Sequence, residues 1–513
     1  MTQPIRSCRA DMRRIFDTRP DSPALIDART GKTWSYADLD ALTARVAAFL
    51  LDQGATAERP VVTVLPNAVD TLVLFLGALR AGVDFAPLAP QSSLRDFEHW
   101  LTLVKPGLCV YSISSEDVVD ASIADVRRLS IVPNGSFKWL ETEDWPGERT
   151  RADRTSQLLL HTSGTTGEPK VLLLDCDRLW SSGRAFTRHH DFLGPECRFF
   201  NILPMSYLGG LYNLGLLPIS VGGSIAVGDA FSGKSFISFW QDLERLEVNV
   251  LWLVPTIMRG LLTLRERTKS RGADLVWSEI RACFVGTAPI ELATKQEFEH
   301  EFGIPVLETF ALSETTFITS ETLGSRYHRK EGSVGEVLPY VDVRCVATTV
   351  EEGNESATEI LVKTPYLFLG YLQSDGNTKL PETADAYFPT DDLGELNNDG
   401  MLFYRGRKRD IIKKGGYLIV LREIEVLAEQ HVLVEEAVAV PVPHDFYGED
   451  YVLTVRLGES PRIDDPLGEI RIWVNANLAQ YKWPGKIVEY DDFPRTPSGK
   501  VRRRDLAEEI AKR

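Results

Sequence analysis

Apolar Leu39, Leu42, Val46, Phe49 and Leu50 recur at the spacing of one helical face. Ser35 stands where an N-cap belongs and Gly54 where the helix must stop, so the pattern predicts a helix between them. The texture then changes to the β-branched run Val61-Val62-Thr63-Val64, which predicts a buried strand. After it come the cap candidate Asn67, a second apolar helix to Arg80 and a break at Gly82. Strand and helix alternating in this way predict an α/β layered domain.

The alternation resumes with Leu158–His161, Val171–Leu174 and a helix from about Arg178, and further buried strands are expected at Asn249–Leu253, Arg281–Phe284 and Val306–Phe310. Ligands of such sheets collect at strand ends. Three segments are therefore expected to face one cleft: Gly286-Thr287-Ala288-Pro289, Phe310-Ala311-Leu312-Ser313-Glu314, and Asn201–Tyr212, read as a loop rich in Gly and Tyr. Past Asp342, short alternating stretches such as Glu359-Ile360-Leu361-Val362 predict a β-rich subdomain ending near Tyr404. The charged run Gly406-Arg407-Lys408-Arg409-Asp410 then separates it from a small C-terminal domain with its own strand and helix signals.

Length supports this division, since 513 residues exceed what one hydrophobic core usually serves. Against 57 Lys+Arg stand 73 Asp+Glu, a net charge of -16 that repels nucleic acid and anionic membranes. A phosphate-bearing ligand must then be met by a local basic site, and a small-molecule partner is expected. The cysteines at 8, 109, 176, 197, 283 and 345 form no C-x-x-C pair, which fits reduced thiols rather than a disulfide frame or zinc site. Arg6 and Arg9 are not followed by an apolar signal region, and the most apolar segment, Leu72–Leu79, is too short to span a bilayer. The expectation is a cytoplasmic protein.

Candidate chemistry is densest in His161-Thr162-Ser163-Gly164-Thr165-Thr166-Gly167-Glu168-Pro169-Lys170, directly after the apolar Leu158-Leu159-Leu160. Gly164 and Gly167 let backbone N–H groups turn toward an anion, Thr162, Ser163, Thr165 and Thr166 donate, and Lys170 supplies charge. That is the chemistry of a nucleotide polyphosphate clamp, although a plain turn between strands has the same composition. The spacing G-x-x-x-x-G-K-[ST] is absent, because Lys170 stands three residues after Gly167, so ordinary P-loop chemistry is disfavoured. His161, just ahead of the hydroxyl-rich stretch, reads as structural.

The run Ser163–Lys170 resembles the signature loop of the adenylate-forming superfamily, which contains acyl-CoA synthetases, peptide-synthetase adenylation domains and firefly-type luciferases. The same resemblance extends in order through Leu203-Pro204-Met205, Gly286-Thr287-Ala288-Pro289, Gly332-Ser333-Val334-Gly335, Thr390-Asp391-Asp392-Leu393-Gly394, Gly406-Arg407, Glu423-Ile424-Glu425 and Pro494-Arg495-Thr496-Pro497-Ser498-Gly499-Lys500. It implies an α/β fold with a large N-terminal region, residues 1–408, of layered α/β subdomains plus a β-rich subdomain from about 340. A hinged α+β C-terminal lid would occupy residues 409–513. The implied reaction joins a carboxylic acid to the α-phosphate of Mg-ATP, releasing pyrophosphate, and then passes the acyl group to an acceptor.

Carried over residue by residue, the resemblance makes Lys500 the cation that eases the approach of two anions. Glu314 becomes the Mg²⁺ ligand, with Ser313 beside it. Asp392 and Arg407 become the ribose pair, Arg409 the hinge, and Lys413 a lysine of the second half-reaction. The adenine slot would be lined by Gly286, Thr287, Ala288, Pro289, Glu308, Thr309 and Phe310. The acyl pocket would be lined by Tyr207, Gly209, Gly210, Tyr212, Ala311 and Leu312. Asn201–Tyr212 holds no aspartate to pair an α-ammonium group, so an aliphatic, cyclic or aryl acid is expected rather than an amino acid.

The chain departs from the family pattern at Phe310-Ala311-Leu312, at Asp391 and at Val420-Leu421-Arg422, where a proline is usual. The last change puts the acceptor in doubt. Coenzyme A is the leading acceptor. An amine, giving an amide, or a carrier-protein thiol is the alternative, and a nucleotide-binding protein without catalysis is a third reading.

Overall fold

The computed structural model describes residues 4–92, 94–115, 119, 126–140, 154–162, 170–268, 279–288, 290–347, 358–373, 375–381, 383, 385–414, 417–458, 463–495 and 501–512. The chain forms two compact units. The first comprises Met1–Arg329, Leu338–Asp342 and Lys363–Glu382, and the second Lys330–Val337, Val343–Val362 and Thr383–Arg513.

In the first unit, the predicted opening helix runs Tyr36–Asp52. Ser35 and Asp38 close a reciprocal capping box at its start, and Gly54 takes φ +81° just past its end. The next helix, Val69–Ala81, stops at Gly82 in the left-handed conformation, as expected. Its start differs from the expectation. The cap residue is Ala68, without a side-chain bond. Asn67 instead spends its amide at long range, donating to the Leu203 carbonyl at 2.9 Å and accepting from the Met205 N–H at 2.9 Å.

Two sheets organise this unit. One has eight strands in the order Thr378–Lys379, Gly370–Leu372, Lys170–Asp175, Gln157–Thr162, Phe85–Leu88, Val61–Val64, Leu108–Ser112 and Arg127–Ile131. From Gln157–Thr162 to Arg127–Ile131 the neighbours are parallel, and the three strands at the other edge are antiparallel. The other sheet carries the predicted strands Val250–Leu253, Ala282–Val285 and Val306–Leu312 side by side and parallel, followed by antiparallel Thr316–Ser320. Runs buried on both faces produce the continuous apolar stretches read from the sequence.

The Asn201–Tyr212 stretch is not simply a loop. Asn201 ends the strand Arg198–Asn201, and Gly209–Leu216 is a π-helix. Its wider winding is supported from outside: buried Asn201 donates through Nδ2 to the carbonyls of Gly210 at 2.8 Å and Leu214 at 3.1 Å. Wide turns of this kind are frequent at functional sites.

The second unit contains the hairpin Phe388–Leu396/Met401–Arg407. Thr358–Lys363 pairs with its first strand and Ser333–Val337 with its second. A separate five-stranded sheet follows, built from Ile411–Lys414, Tyr417–Val420, Val434–His444, Gly448–Leu457 and Lys486–Glu489. Helices Leu421–Glu429 and Pro466–Asn477 bury Ile424, Ala428, Ile470 and Val474 in one core with Ile412, Ile419, Leu453 and Val455. Among the described residues, no helix is long and apolar enough to cross a membrane.

Candidate active site

Strands Gln157–Thr162 and Lys170–Asp175 pair antiparallel with Thr162 opposite Lys170, so both ends of the hydroxyl-rich loop are fixed by the sheet. Ser163, Gly164, Thr165, Thr166 and Gly167 lie outside the described residues. His161, read as structural, stands edge-on to Trp100 with ring centroids 5.7 Å apart.

Lys170 Nζ sits 5.1 Å from the ring centroid of Tyr371, a cation–π distance. The hydroxyl of the same Tyr371 donates to Glu314 Oε1 at 3.1 Å, and the Phe368 N–H donates to the Glu314 carbonyl at 2.8 Å. One aromatic ring therefore bridges the predicted phosphate-binding cation and the predicted metal-binding carboxylate. Strand Gly370–Leu372 holds it there by pairing with Lys170–Asp175, Tyr371 opposite Leu172. Half-buried Glu314, flanked by Ser313, suits a hard cation that keeps most of its waters and also meets phosphate oxygens. Tyr371 escaped the sequence reading because no local pattern marks it.

The predicted adenine segments are also neighbours. Val285 pairs with Glu308, and a Cβ on Gly286 would lie 2.7 Å from the Thr309 carbonyl oxygen, so only glycine fits there. Thr287 takes φ +76°, a strained value for a β-branched residue. Ala288 and Phe310 are half-buried, and Pro289 lies outside the described residues. Buried Glu308 turns elsewhere: its carboxylate meets Lys295 Nζ at 2.5 Å, and Lys295 also meets Glu321 at 3.0 Å. Burial pushes the Glu308 carboxyl up to about 7.

Among the acyl-pocket candidates, Gly209 has no room for a side chain, because a Cβ would come 2.6 Å from the Tyr207 ring. The Tyr207 hydroxyl is buried with no hydrogen-bond partner among the described residues. Gly210 is held against the Leu203 and Pro204 carbonyl oxygens, each 2.5 Å from a built Cβ. Tyr212 is buried and stacks on Phe317 at 5.4 Å and 27°. Ala311 is exposed and Leu312 half-buried at the end of their strand.

In the second unit, Asp392 and Arg407 are register partners across the hairpin, with Arg407 Nε 2.9 Å from Asp392 Oδ1. Burial works against the Arg407 charge, and the Asp392 carboxylate outweighs it, holding the guanidinium above its ordinary value. Asp391 takes φ +59°. The Asp392 N–H donates to Thr390 Oγ1 at 3.1 Å, which fixes the strand backbone at this point.

Arg409 lies in the short 3₁₀ turn Lys408–Asp410, and Lys413 in the strand Ile411–Lys414 opposite Leu418; both side chains are outside the described residues. So is Lys500. The ends of its loop are fixed, since Arg495 bridges Val501 and the Arg502 N–H donates to the Pro494 carbonyl at 2.7 Å. Next in the chain, Arg503 Nη2 meets buried Glu425 at 2.6 Å, while Glu425 also accepts from the Ala439 N–H at 2.9 Å. This gives the Glu423-Ile424-Glu425 run a physical meaning: its last carboxylate anchors the helix that follows Lys500.

The family model of the AMP-binding enzyme matches residues 12–372, and that of the AMP-binding enzyme C-terminal domain matches residues 423–500. The chain belongs to the AMP-binding enzyme family. Across nearly its full length it is similar to a sulfoacetate–CoA ligase of Cupriavidus necator, 28% identical over 95% of this chain and 94% of that protein. It is likewise similar to an oxalate–CoA ligase of Arabidopsis thaliana, 28% identical over 95% of this chain and 96% of that one. Among solved structures, ATP-bound MatB of Rhodopseudomonas palustris superposes with a TM-score of 0.84 at 27% identity, covering 98% of this chain and 99% of that chain. Family membership accounts for the ordered motifs and for the α/β architecture with its small C-terminal domain.

Proposed function

We propose that the chain is an ATP-dependent, AMP-forming carboxylic acid–CoA ligase. In the first half-reaction a carboxylate oxygen of the acid attacks the α-phosphorus of ATP, the bond to the β-phosphate oxygen breaks, and pyrophosphate leaves. In the second, the thiolate of coenzyme A attacks the acyl carbon and AMP departs.

The observation that carries this reading is the Lys170–Tyr371–Glu314 arrangement beside the hydroxyl-rich loop. Lys170 meets polyphosphate charge, and Tyr371 holds the Glu314 carboxylate in one orientation. When bound, Mg²⁺ on Glu314 supplies charge neutralisation at phosphate oxygens. Asp392 accepts from ribose hydroxyls while Arg407, 2.9 Å from its Oδ1, holds the carboxylate in place. Lys500 supplies the positive charge that lets two anions approach. Residues 1–408 act as the adenylation core and 409–513 as a lid hinged at Arg409. Coenzyme A is favoured as acceptor because the full-length relatives carry CoA-ligase names.

ATP–pyrophosphate exchange across a panel of carboxylic acids, followed by thioester detection with coenzyme A, tests the proposal. Acid-dependent exchange and a CoA thioester are expected. An amide formed with an added amine, without CoA turnover, overturns the acceptor; absence of exchange with every acid overturns adenylation.

A further inference from the structure

The hydroxyls of Tyr212, Tyr340 and Tyr366 are buried in the first unit without a hydrogen-bond partner among the described residues. Buried polar groups are nearly always paired, so several orphans in one place call for an occupant. The Tyr340 and Tyr366 rings stand edge-on with centroids 5.3 Å apart. Ser182, on the helix Cys176–His189, is the polar neighbour of both Tyr212 and Tyr340, yet completes a well-formed bond with neither. Its hydroxyl pairs instead with Thr316 Oγ1 at 2.7 Å. Five hydroxyls from five separate stretches of chain thus gather together.

Their place in the fold is informative. Thr316 is two residues beyond Glu314, and Tyr366 is two before Phe368, whose N–H binds the Glu314 carbonyl at 2.8 Å. Two residues of chain reach about 7 Å at most, so the cluster stands within a small molecule's length of Glu314. Tyr212 belongs to the π-helix that also begins with Gly209 and Gly210. Thr316 takes φ +61°, a costly conformation for a β-branched residue of the kind retained at functional sites.

We propose that this hydroxyl cluster receives the far end of the acid and selects one bearing an uncharged hydrogen-bonding group, a hydroxyl, ketone or amide. The inference rests on the adenylation reading. A hydroxyl both donates and accepts, so such a group satisfies the orphans, whereas a methyl leaves them unpaired. Burial raises the tyrosines above their ordinary values, keeping them neutral donors. The five groups carry no positive charge of their own, and Arg188, whose charge acts on Tyr366, has its Nε committed to the Arg184 carbonyl at 3.0 Å, so a second carboxylate gains no dedicated partner among them.

The experiment compares matched acids in ATP–pyrophosphate exchange: butyrate, γ-hydroxybutyrate and succinate, and benzoate, para-hydroxybenzoate and terephthalate. The full-length wild type, Tyr212→Phe and Tyr340→Phe are assayed alongside their thermal midpoints. In at least one series, the hydroxylated acid should exceed its hydrogen-terminated and carboxylate-terminated counterparts by ~10-fold or more in kcat/KM, and the preference should fall below ~3-fold in the phenylalanine variants. Their thermal midpoints should hold or rise, because the hydroxyls removed had no partner. Equal or better use of the unsubstituted acid or the diacid by the wild type overturns the inference, as does a preference that survives both substitutions. Exchange with no acid at all is a different result, and it removes the adenylation reading itself.

Discussion

The Tyr371 hydroxyl donates to Glu314 Oε1 at 3.1 Å while Lys170 rests against the ring of the same tyrosine. A hydrogen bond to a charged group is worth about 1.5–3 kcal/mol. Tyr371→Phe keeps the ring and the cation contact but frees the carboxylate to rotate. Pyrophosphate exchange titrated with Mg²⁺ should show the half-saturating metal concentration rising by ~10-fold or more, with the fold retained by circular dichroism.

Asp392 is fully buried against Arg407, so its role is separable from general surface charge. Asp392→Asn removes the charge and keeps the shape. The expected outcome is a KM for ATP raised by ~10–100-fold with the KM for the acid little changed, measured by exchange kinetics.

Glu425 holds Arg503 at 2.6 Å, and Arg503 begins the helix just after Lys500. Glu425→Gln removes the nearer counter-charge of that guanidinium and leaves it the longer contact to Asp410 Oδ2 at 3.9 Å. The change should destabilise the second unit by about 3 kcal/mol, the low end for breaking a buried pair because Arg503 keeps partial access to water. Urea unfolding of wild type and variant, followed by tryptophan fluorescence and by far-ultraviolet circular dichroism, would report it as an earlier transition.

His190 is buried among Phe186, Phe192, Phe284 and His189, with Nε2 3.0 Å from Ser320 Oγ. Burial, and then the charge of His189, push its pKa down from 6.5 to about 3. The unfolded chain therefore binds a proton below pH 6.5 that the folded chain refuses, so this contribution to stability is complete above 6.5 and is lost as pH falls toward 3. Its slope is about 1.4 kcal/mol per pH unit in that window. His190→Phe should flatten the wild-type fall in urea midpoint between these limits.

Gly209 touches the Tyr207 ring, a built Cβ coming 2.6 Å from it. Gly209→Ala must displace that ring. The KM for the acid should rise by ~10-fold or more while the KM for ATP stays within ~2-fold, an asymmetry read from paired titrations.

Much of the frame was legible because buried parallel strands and amphipathic helices write themselves locally: Val61–Val64, Tyr36–Asp52 and the stop at Gly82 follow from runs, caps and glycine. What escaped was non-local. Asn67 has the side chain of a cap, yet its amide is consumed by residues 203 and 205. The π-helix after Leu208 depends on donors from Asn201, which no periodicity displays. Tyr371 matters only because its short strand pairs beside Lys170, and Glu308, placed at the adenine slot by the family resemblance, has its carboxylate on Lys295, a partner thirteen residues away that no motif displays.

Asn67 grips only main-chain atoms of Leu203 and Met205. A carbonyl is common to every amino acid and an N–H to every one but proline, so this clasp is indifferent to the side chains at 203 and 205 as long as 205 is not proline. The start of the 206–216 stretch is thus pinned through atoms that substitution at 203 or 205 leaves in place, while Gly209 and Gly210, which have no room for a side chain, carry the sequence constraint further along.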